Sequence, residues 1–105
     1  MQKNERQKLL EDALVRVTSC DDKRGAPENS FKRIAELWTA YLGYEVKPHD
    51  VAALMALLKI ARIKRAPEDR DSWLDLAGYA ACGSDCAPVA TISATPAGCI
   101  APRTE

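Results

Sequence analysis

One segment that is apolar nearly all the way round a helix constrains the fold of this chain most. From about Pro48 to Lys64 the sequence reads PHDVAALMALLKIARIK, and its first half, VAALMALL, contains no polar residue. Pro48 suits the first turn of a helix, and Asp50 favours the positive end of the helix dipole. A helix with apolar residues on every side must be covered on several sides. We therefore expect this segment to be the central helix of a helical bundle.

Three other segments carry apolar residues at helical spacing. Residues 5–17 predict an amphipathic helix, and residues 30–42 predict a second helix that ends at Gly43, where glycine accepts the left-handed backbone that often closes a helix. The apolar stripe of that second helix is Phe31, Ile34, Leu37, Trp38, Tyr41 and Leu42. The segment EDRDSWLDLAGYAAC, which follows Ala66 and Pro67, predicts the last helix because acids crowd its first turn. Its predicted inner face consists of Trp73, Leu76, Ala77 and Ala80.

The connections between these helices complete the predicted fold. The polar stretch TSCDDKRGAPENS, residues 18–30, predicts a fairly long loop because glycine and proline favour turns. After Gly83 the chain is rich in Ala, Pro, Ser and Thr and shows no helical period. The sequence therefore predicts an all-α protein, an antiparallel bundle of about four helices over residues 1–84, with an irregular C-terminal tail over residues 85–105.

Charge and hydropathy disfavour several classes of partner. Fifteen Lys and Arg balance fifteen Asp and Glu, so no overall field attracts nucleic acid or an anionic membrane surface. The local cluster Lys23, Arg24, Lys32 and Arg33 is small for a nucleic-acid interface. No apolar run reaches the roughly 18 residues of a membrane span, and the first residues lack the apolar core of a secretory signal. We therefore expect no membrane partner and a location in the bacterial cytoplasm.

The four cysteines are expected to remain thiols in a reducing compartment, although two disulfides are the alternative. They are Cys20, Cys82, Cys86 and Cys99. Cys82 and Cys86 lie one helical turn apart and would make half of a zinc site, but His49 is the only histidine and no second pair has suitable spacing. The sequence therefore does not favour zinc.

The start of the last helix contains the most suggestive chemical pattern. Asp71 and Asp75 are four residues apart and so share one helix face, where two carboxylates can hold a divalent metal. Magnesium prefers such oxygen ligands and bridges them to phosphates. On the preceding helix, Lys59 and Arg62 are three apart and can meet a phosphate group. The pattern predicts Asp71 and Asp75 as Mg²⁺ ligands, with Lys59 and Arg62 as the catalytic cations on the phosphate side.

A purely structural interpretation of these four residues stands beside the functional one. Acids at a helix start and cations near a helix end both interact favourably with the helix dipole. Ion pairs of this kind are often only structural. Glu36 would add a third carboxylate, but such a residue usually lies on a solvated helix face.

Three stretches resemble an uncharacterised domain family of tailed bacteriophages and prophages, domain of unknown function 6378. They are ENSFKRIAELWTAYLG, DVAALMALLKIARIK and DSWLDLAGYAACG, which occur in the same order as in the family. The resemblance covers about residues 5–84. It implies a phage or prophage origin and an accessory gene product, while the family has no settled activity.

The charged pattern is also similar, more distantly, to the MazG-like all-α nucleotide pyrophosphohydrolases. Those enzymes hold magnesium with helix carboxylates and split nucleoside triphosphates into a monophosphate and pyrophosphate. The similarity implies the same metal and phosphate roles for Asp71, Asp75, Lys59 and Arg62. The group's hallmark, a Glu-x-x-Glu pair on one helix followed by Glu-x-x-Asp on another, is absent from this chain, in which Glu36 stands alone.

Two function hypotheses follow for an accessory protein of a phage. The first is binding or hydrolysis of a nucleotide with Mg²⁺. The alternative is a non-enzymatic protein that binds and inhibits a host protein, such as a defence nuclease, because the chain is small and its catalytic set is incomplete. Four short helices bury only a modest core, so we also expect that a homodimer can cover the remaining apolar surface.

Overall fold

The computed structural model describes residues 2–24 and 27–88, and these residues form four helices. The helices are α1 (Glu5–Arg24), α2 (Pro27–Leu42), α3 (Pro48–Arg65) and α4 (Arg70–Cys86). No strand occurs within the described residues. The prediction of an all-α fold built from about four helices is therefore confirmed.

The first two helices are longer than predicted, and the prediction of a long loop over residues 18–30 is wrong. Helix α1 continues to Arg24, and α2 begins at Pro27. The hydroxyl of Thr18 donates to the carbonyl oxygen of Leu14 at 2.7 Å, so the polar residue is accommodated within the helix. Between Val17 and Arg24 the sequence is polar but contains no Gly or Pro, and polarity alone does not end an exposed helix. Proline at the first position of α2 loses no helical hydrogen bond.

The turn between α2 and α3 agrees with the sequence. Gly43 adopts a φ of 84° and its N–H donates to the carbonyl oxygen of Thr39 at 2.9 Å, which closes α2 as predicted. The hydroxyl of Thr39 also accepts from the N–H of Val46 at 2.8 Å. At the start of α3 the carboxylate of Asp50 accepts from the N–H of Lys47 at 2.9 Å. These contacts hold the link against the end of α2.

One part of the core forms where this link meets α2 and α3. Ala35, Val46 and Val51 are buried together. The side chains packed around them are Phe31, Ile34, Trp38 and Met55. Half of the predicted α2 stripe therefore faces the core, whereas Leu37, Tyr41 and Leu42 are exposed.

Helix α4, not α3, occupies the centre of the fold. It packs against each of the other three helices, most extensively against α3 and α1. Helix α3 packs against α2 and α4, and within the described residues its backbone does not approach α1. The prediction that α3 is the central helix is wrong, because one side of it stays open to solvent.

The inner face of α4 also differs from the predicted one. Leu74 and Ser72 are its buried residues, whereas Trp73 and Ala80 are exposed. The hydroxyl of Ser72 donates to the N-cap carboxylate of Asp69 at 2.9 Å, so its burial leaves no unpaired polar group. Because α4 has neighbours on several sides, no single apolar stripe defines its buried surface.

Helices α3 and α4 form an antiparallel hairpin with a close approach at Gly83. A Cβ atom at Gly83 would lie 2.9 Å from the Cβ of Ala52, closer than real carbon contacts. At Gly78, the other glycine inside α4, a Cβ would lie 3.8 Å from Val17 Cγ1, an ordinary contact distance. The close approach therefore depends on Gly83.

Helix α1 runs alongside α4 in the same direction. Asp12 pairs with Arg70 and Arg16 pairs with Asp75, so the paired positions advance together along both helices. The C-terminal end of α4, Cys86, lies two residues inside the segment predicted as tail, and residues 89–105 lie outside the described residues.

We predict opposite effects for alanine at the two α4 glycines. Gly83→Ala should lower the free energy of unfolding by about 1–3 kcal/mol, because α3 and α4 must move apart. Gly78→Ala should raise it by about 0.5–1 kcal/mol, because alanine favours the helix and the space admits a methyl group. Urea denaturation followed by circular dichroism measures both. Equal effects at the two positions would contradict the close packing at Gly83.

Candidate functional site

The carboxylate of Asp75 joins three helices through two ion pairs. Its Oδ2 lies 3.0 Å from Lys59 Nζ on α3, and its Oδ1 lies 2.8 Å from an Nη atom of Arg16 on α1. Each carboxylate oxygen therefore has a cationic partner. We call Arg16, Lys59 and Asp75 the charged triad.

The charged triad extends from the interior to the surface, because Lys59 is buried and the Arg16 side chain is 47% exposed. Lys59 is buried, with 9% of its surface exposed, whereas the side chain of Asp75 is 28% exposed. A buried ammonium group is costly unless an anion pairs with it. Asp75 supplies that anion, and Arg16 completes its coordination from the solvent side. This arrangement favours a structural role for Lys59 and Asp75.

The structure brings Lys59 and Asp75 together. It does not bring the other two predicted site residues, Arg62 and Asp71, into this contact. Arg62 and Asp71 are exposed, and within the described ranges their side chains make no hydrogen bond or ion pair. The backbone N–H of Asp71 donates to Asp69 Oδ1 at 3.2 Å, which caps α4. Asp71 thus lies in the first turn, where its charge favours the helix dipole.

The donor set does not fit a magnesium ion as the side chains stand. Among residues 2–24 and 27–88, no group of three or more His, Cys, Asp and Glu residues has positions that could hold a metal. Both oxygens of Asp75 already contact cations, which leaves the carboxylate of Asp71 alone. Magnesium binding by Asp71 and Asp75 and the phosphate roles of Lys59 and Arg62 stay predictions.

Glu36 lies at the other end of the α3–α4 hairpin from Asp71. It lines a hollow of about 320 Å³ beside Pro48, at the start of α3, whereas Asp71 follows the end of α3. An 18-residue helix is about 27 Å long, so these two carboxylates do not share a site. A second hollow, of about 450 Å³, lies between the starts of α1 and α4. It is lined by Glu5, Arg6, Leu9, Glu68, Arg70 and Trp73.

A row of exposed side chains on α2 is a candidate site that the sequence pattern did not indicate. Arg33, Leu37 and Tyr41 are each four residues apart, so they follow one line along the helix. Leu37 is 67% exposed and Tyr41 is 89% exposed. We call these three residues the α2 row. The four-residue spacing is visible in the sequence, but the apolar pattern predicts that Leu37 and Tyr41 belong to the buried stripe.

The described helices include none that is long and apolar enough to span a membrane.

A family model described as Domain of unknown function (DUF6378) matches residues 8–87 of the chain. The chain belongs to this family. The match agrees with the range expected from the three sequence stretches, and membership of an uncharacterised phage family is confirmed. Both charged partners of Asp75 and the whole α2 row lie within the matched residues.

Two relatives of this DUF6378 chain are mycobacteriophage proteins. The Gene 55 protein of Mycobacterium phage D29 is 52% identical over 58 residues, which cover 55% of this chain and 38% of the relative. The Gene 55 protein of Mycobacterium phage L5 is 47% identical over 57 residues, which cover 53% of this chain and 36% of the relative. The matched part is a little over a third of the length of either relative. No solved structure matches the chain.

We predict that the two aspartates of this DUF6378 chain differ in their effect on stability. Asp75→Asn should lower the free energy of unfolding by about 2 kcal/mol, because it leaves the buried Lys59 ammonium without its anion. Asp71→Asn, the matched control, should change it by about 0.5 kcal/mol, because the side chain is exposed.

The double variant Lys59→Met with Asp75→Asn should recover part of that loss, because it removes the unpaired buried charge. Urea denaturation of the wild type, Lys59→Met, Asp75→Asn and the double variant gives the coupling energy. Strict additivity of the two substitutions would contradict a direct stabilising pair.

Proposed function

We propose that this chain is a non-enzymatic phage accessory protein that binds a protein of the bacterial host through the α2 row. The exposure of Leu37 and Tyr41 on one line of α2 carries this proposal. The placement of the chain in a phage family of unestablished activity supports it.

Two residues of the α2 row, Arg33 and Tyr41, are of the types that dominate binding energy at protein interfaces. Tyrosine and arginine are enriched among residues whose truncation costs an interface 2 kcal/mol or more. Tyrosine buries a large apolar ring and still offers a hydroxyl for a hydrogen bond. Tyr41 is 89% exposed, and its hydroxyl makes no hydrogen bond within residues 2–24 and 27–88. Covering it therefore releases hydrophobic free energy that the isolated chain does not gain.

The chemistry of the row also indicates what the partner offers. Leu37 and Tyr41 are four residues apart and fit an apolar groove a little over one helical turn long. Arg33, one turn before Leu37, fits a carboxylate at one end of that groove. A partner with an apolar groove flanked by acidic side chains meets both requirements.

Nucleotide binding or hydrolysis with Mg²⁺ is the second candidate. It is favoured by the convergence of Lys59 and Asp75, which the sequence predicted as phosphate-side and metal-side groups. It requires Asp75 to exchange one of its cationic partners for a ligand. The direct pairing of both carboxylate oxygens makes this candidate the weaker one.

Alanine in the α2 row should abolish capture of the host partner. We expect tagged wild-type chain to retain a stoichiometric partner from host lysate, and Leu37→Ala or Tyr41→Ala to reduce its retention at least about 30-fold, as expected for loss of about 2 kcal/mol. Leu10→Ala, an exposed leucine on α1, is the matched control and should retain it. Retention of the partner by both α2 variants would contradict the proposal.

The nucleotide candidate predicts pyrophosphate release from nucleoside or deoxynucleoside triphosphates that requires Mg²⁺ and Asp71. Asp71→Asn is the informative variant, because it leaves the charged triad intact. Phosphate-coupled detection of pyrophosphate over a panel of triphosphates measures turnover, and equilibrium dialysis measures binding. Absence of both turnover and magnesium-dependent binding excludes this candidate and leaves the binding role untouched.

A further inference from the structure

Helix α3 has a buried side and an opposite side that is apolar and exposed. Val51, Ala52 and Lys59 are buried on the first side. The large apolar side chains on the other side are Leu54, Leu57, Leu58 and Ile60, which are between 43% and 59% exposed. The described part of the chain therefore covers only half of a helix that is apolar nearly all round.

The charges on the exposed side of α3 would match those of a second, antiparallel copy of the same helix. At 3.6 residues per turn, one face of about 100° contains, in order, Asp50, Leu54, Leu57, Leu58, Ala61 and Arg65. Asp50 precedes Leu57 by the same number of residues as Arg65 follows Leu58. The face thus has an acid at one end, a base at the other and leucines at its centre. We call it the α3 face.

We propose that the α3 face pairs with the α3 face of a second copy of this chain, antiparallel, about a two-fold axis between Leu57 and Leu58. A two-fold interface uses the same patch on both copies. Asp50 of each copy then meets Arg65 of the other, and Leu54 packs against the small Ala61. The antiparallel arrangement also places the positive end of each helix dipole beside the negative end of the other.

The symmetry of the pattern favours a second copy over an unrelated partner. An unrelated protein would need only an apolar patch, with no relation between the charges at the two ends. The Oδ2 atom of Asp50 accepts the N–H of Lys47, and its Oδ1 atom lies 3.6 Å from His49 Nε2. The Asp50 side chain is still 46% exposed, so it remains accessible to Arg65. The pairing is separate from the α2 row and does not depend on the proposed function.

Sedimentation equilibrium of the full chain tests this pairing. We expect a species of twice 11.5 kDa. Leu57→Lys places two ammonium groups beside the two-fold axis and should raise the dimer dissociation constant about 100-fold or more, while helical circular dichroism is unchanged. Leu37→Lys, an exposed leucine of α2, is the matched control and should remain dimeric.

A charge substitution tests the antiparallel register independently. Arg65→Glu places an acid opposite Asp50 and should raise the dissociation constant about tenfold, with the effect lost at high salt. Arg62→Glu is the matched control, because it changes the net charge by the same amount near the same end of α3. Arg62 lies about 60° away from Arg65 around the helix axis, so this substitution should raise the dissociation constant less. A chain that is monomeric at every concentration, or a dimer that Leu37→Lys disrupts and Leu57→Lys does not, overturns the proposal.

Discussion

The ammonium group of Lys59 lies nearly buried on α3, and the position of its anion determines how three helices meet. Asp75 on α4 supplies that anion at 3.0 Å and also binds Arg16 on α1. Once Lys59 is opposite Asp75, the antiparallel register places Ala52, seven residues before Lys59, opposite Gly83, eight residues after Asp75. The electrostatic contact and the close packing of α3 against α4 are therefore two consequences of one register.

This use of Asp75 shifts the functional interpretation from a catalytic cleft to outer surfaces. A carboxylate whose two oxygens contact cations has little capacity left for a metal ion. The features of the described residues without an internal explanation include apolar side chains turned outward on α1, α2 and α3. Exposed leucine and tyrosine rows lower the solubility of a monomer unless something covers them. The proposed association with a partner depends on surfaces of this kind.

Local signals in the sequence predicted the helix ends well where a specific residue sets the geometry. Gly43 closes α2 with a positive φ, and Pro48 with Asp50 begins α3, because these effects depend only on neighbouring atoms. The sequence does not predict the end of α1 correctly, because the residues from Thr18 to Arg24 are mostly polar and both loops and exposed helices contain polar residues. The choice of α3 as the central helix failed for a related reason. An apolar surface shows that something covers the helix, but not whether this chain or another molecule does so.

The sequence by itself determined the all-α class, the number of helices and the pairing of acids with cations as the main chemical pattern. These depend on periodicity, turn residues and charge spacing, which act over a few residues. Only the tertiary structure decided that Asp75 forms ion pairs with Lys59 and Arg16. It also decided that Asp71 and Arg62 stay outside this contact and that Tyr41 faces solvent. Those outcomes depend on the register and direction of helices distant in sequence, because a side chain on a helix face is buried only when another helix is placed against that face.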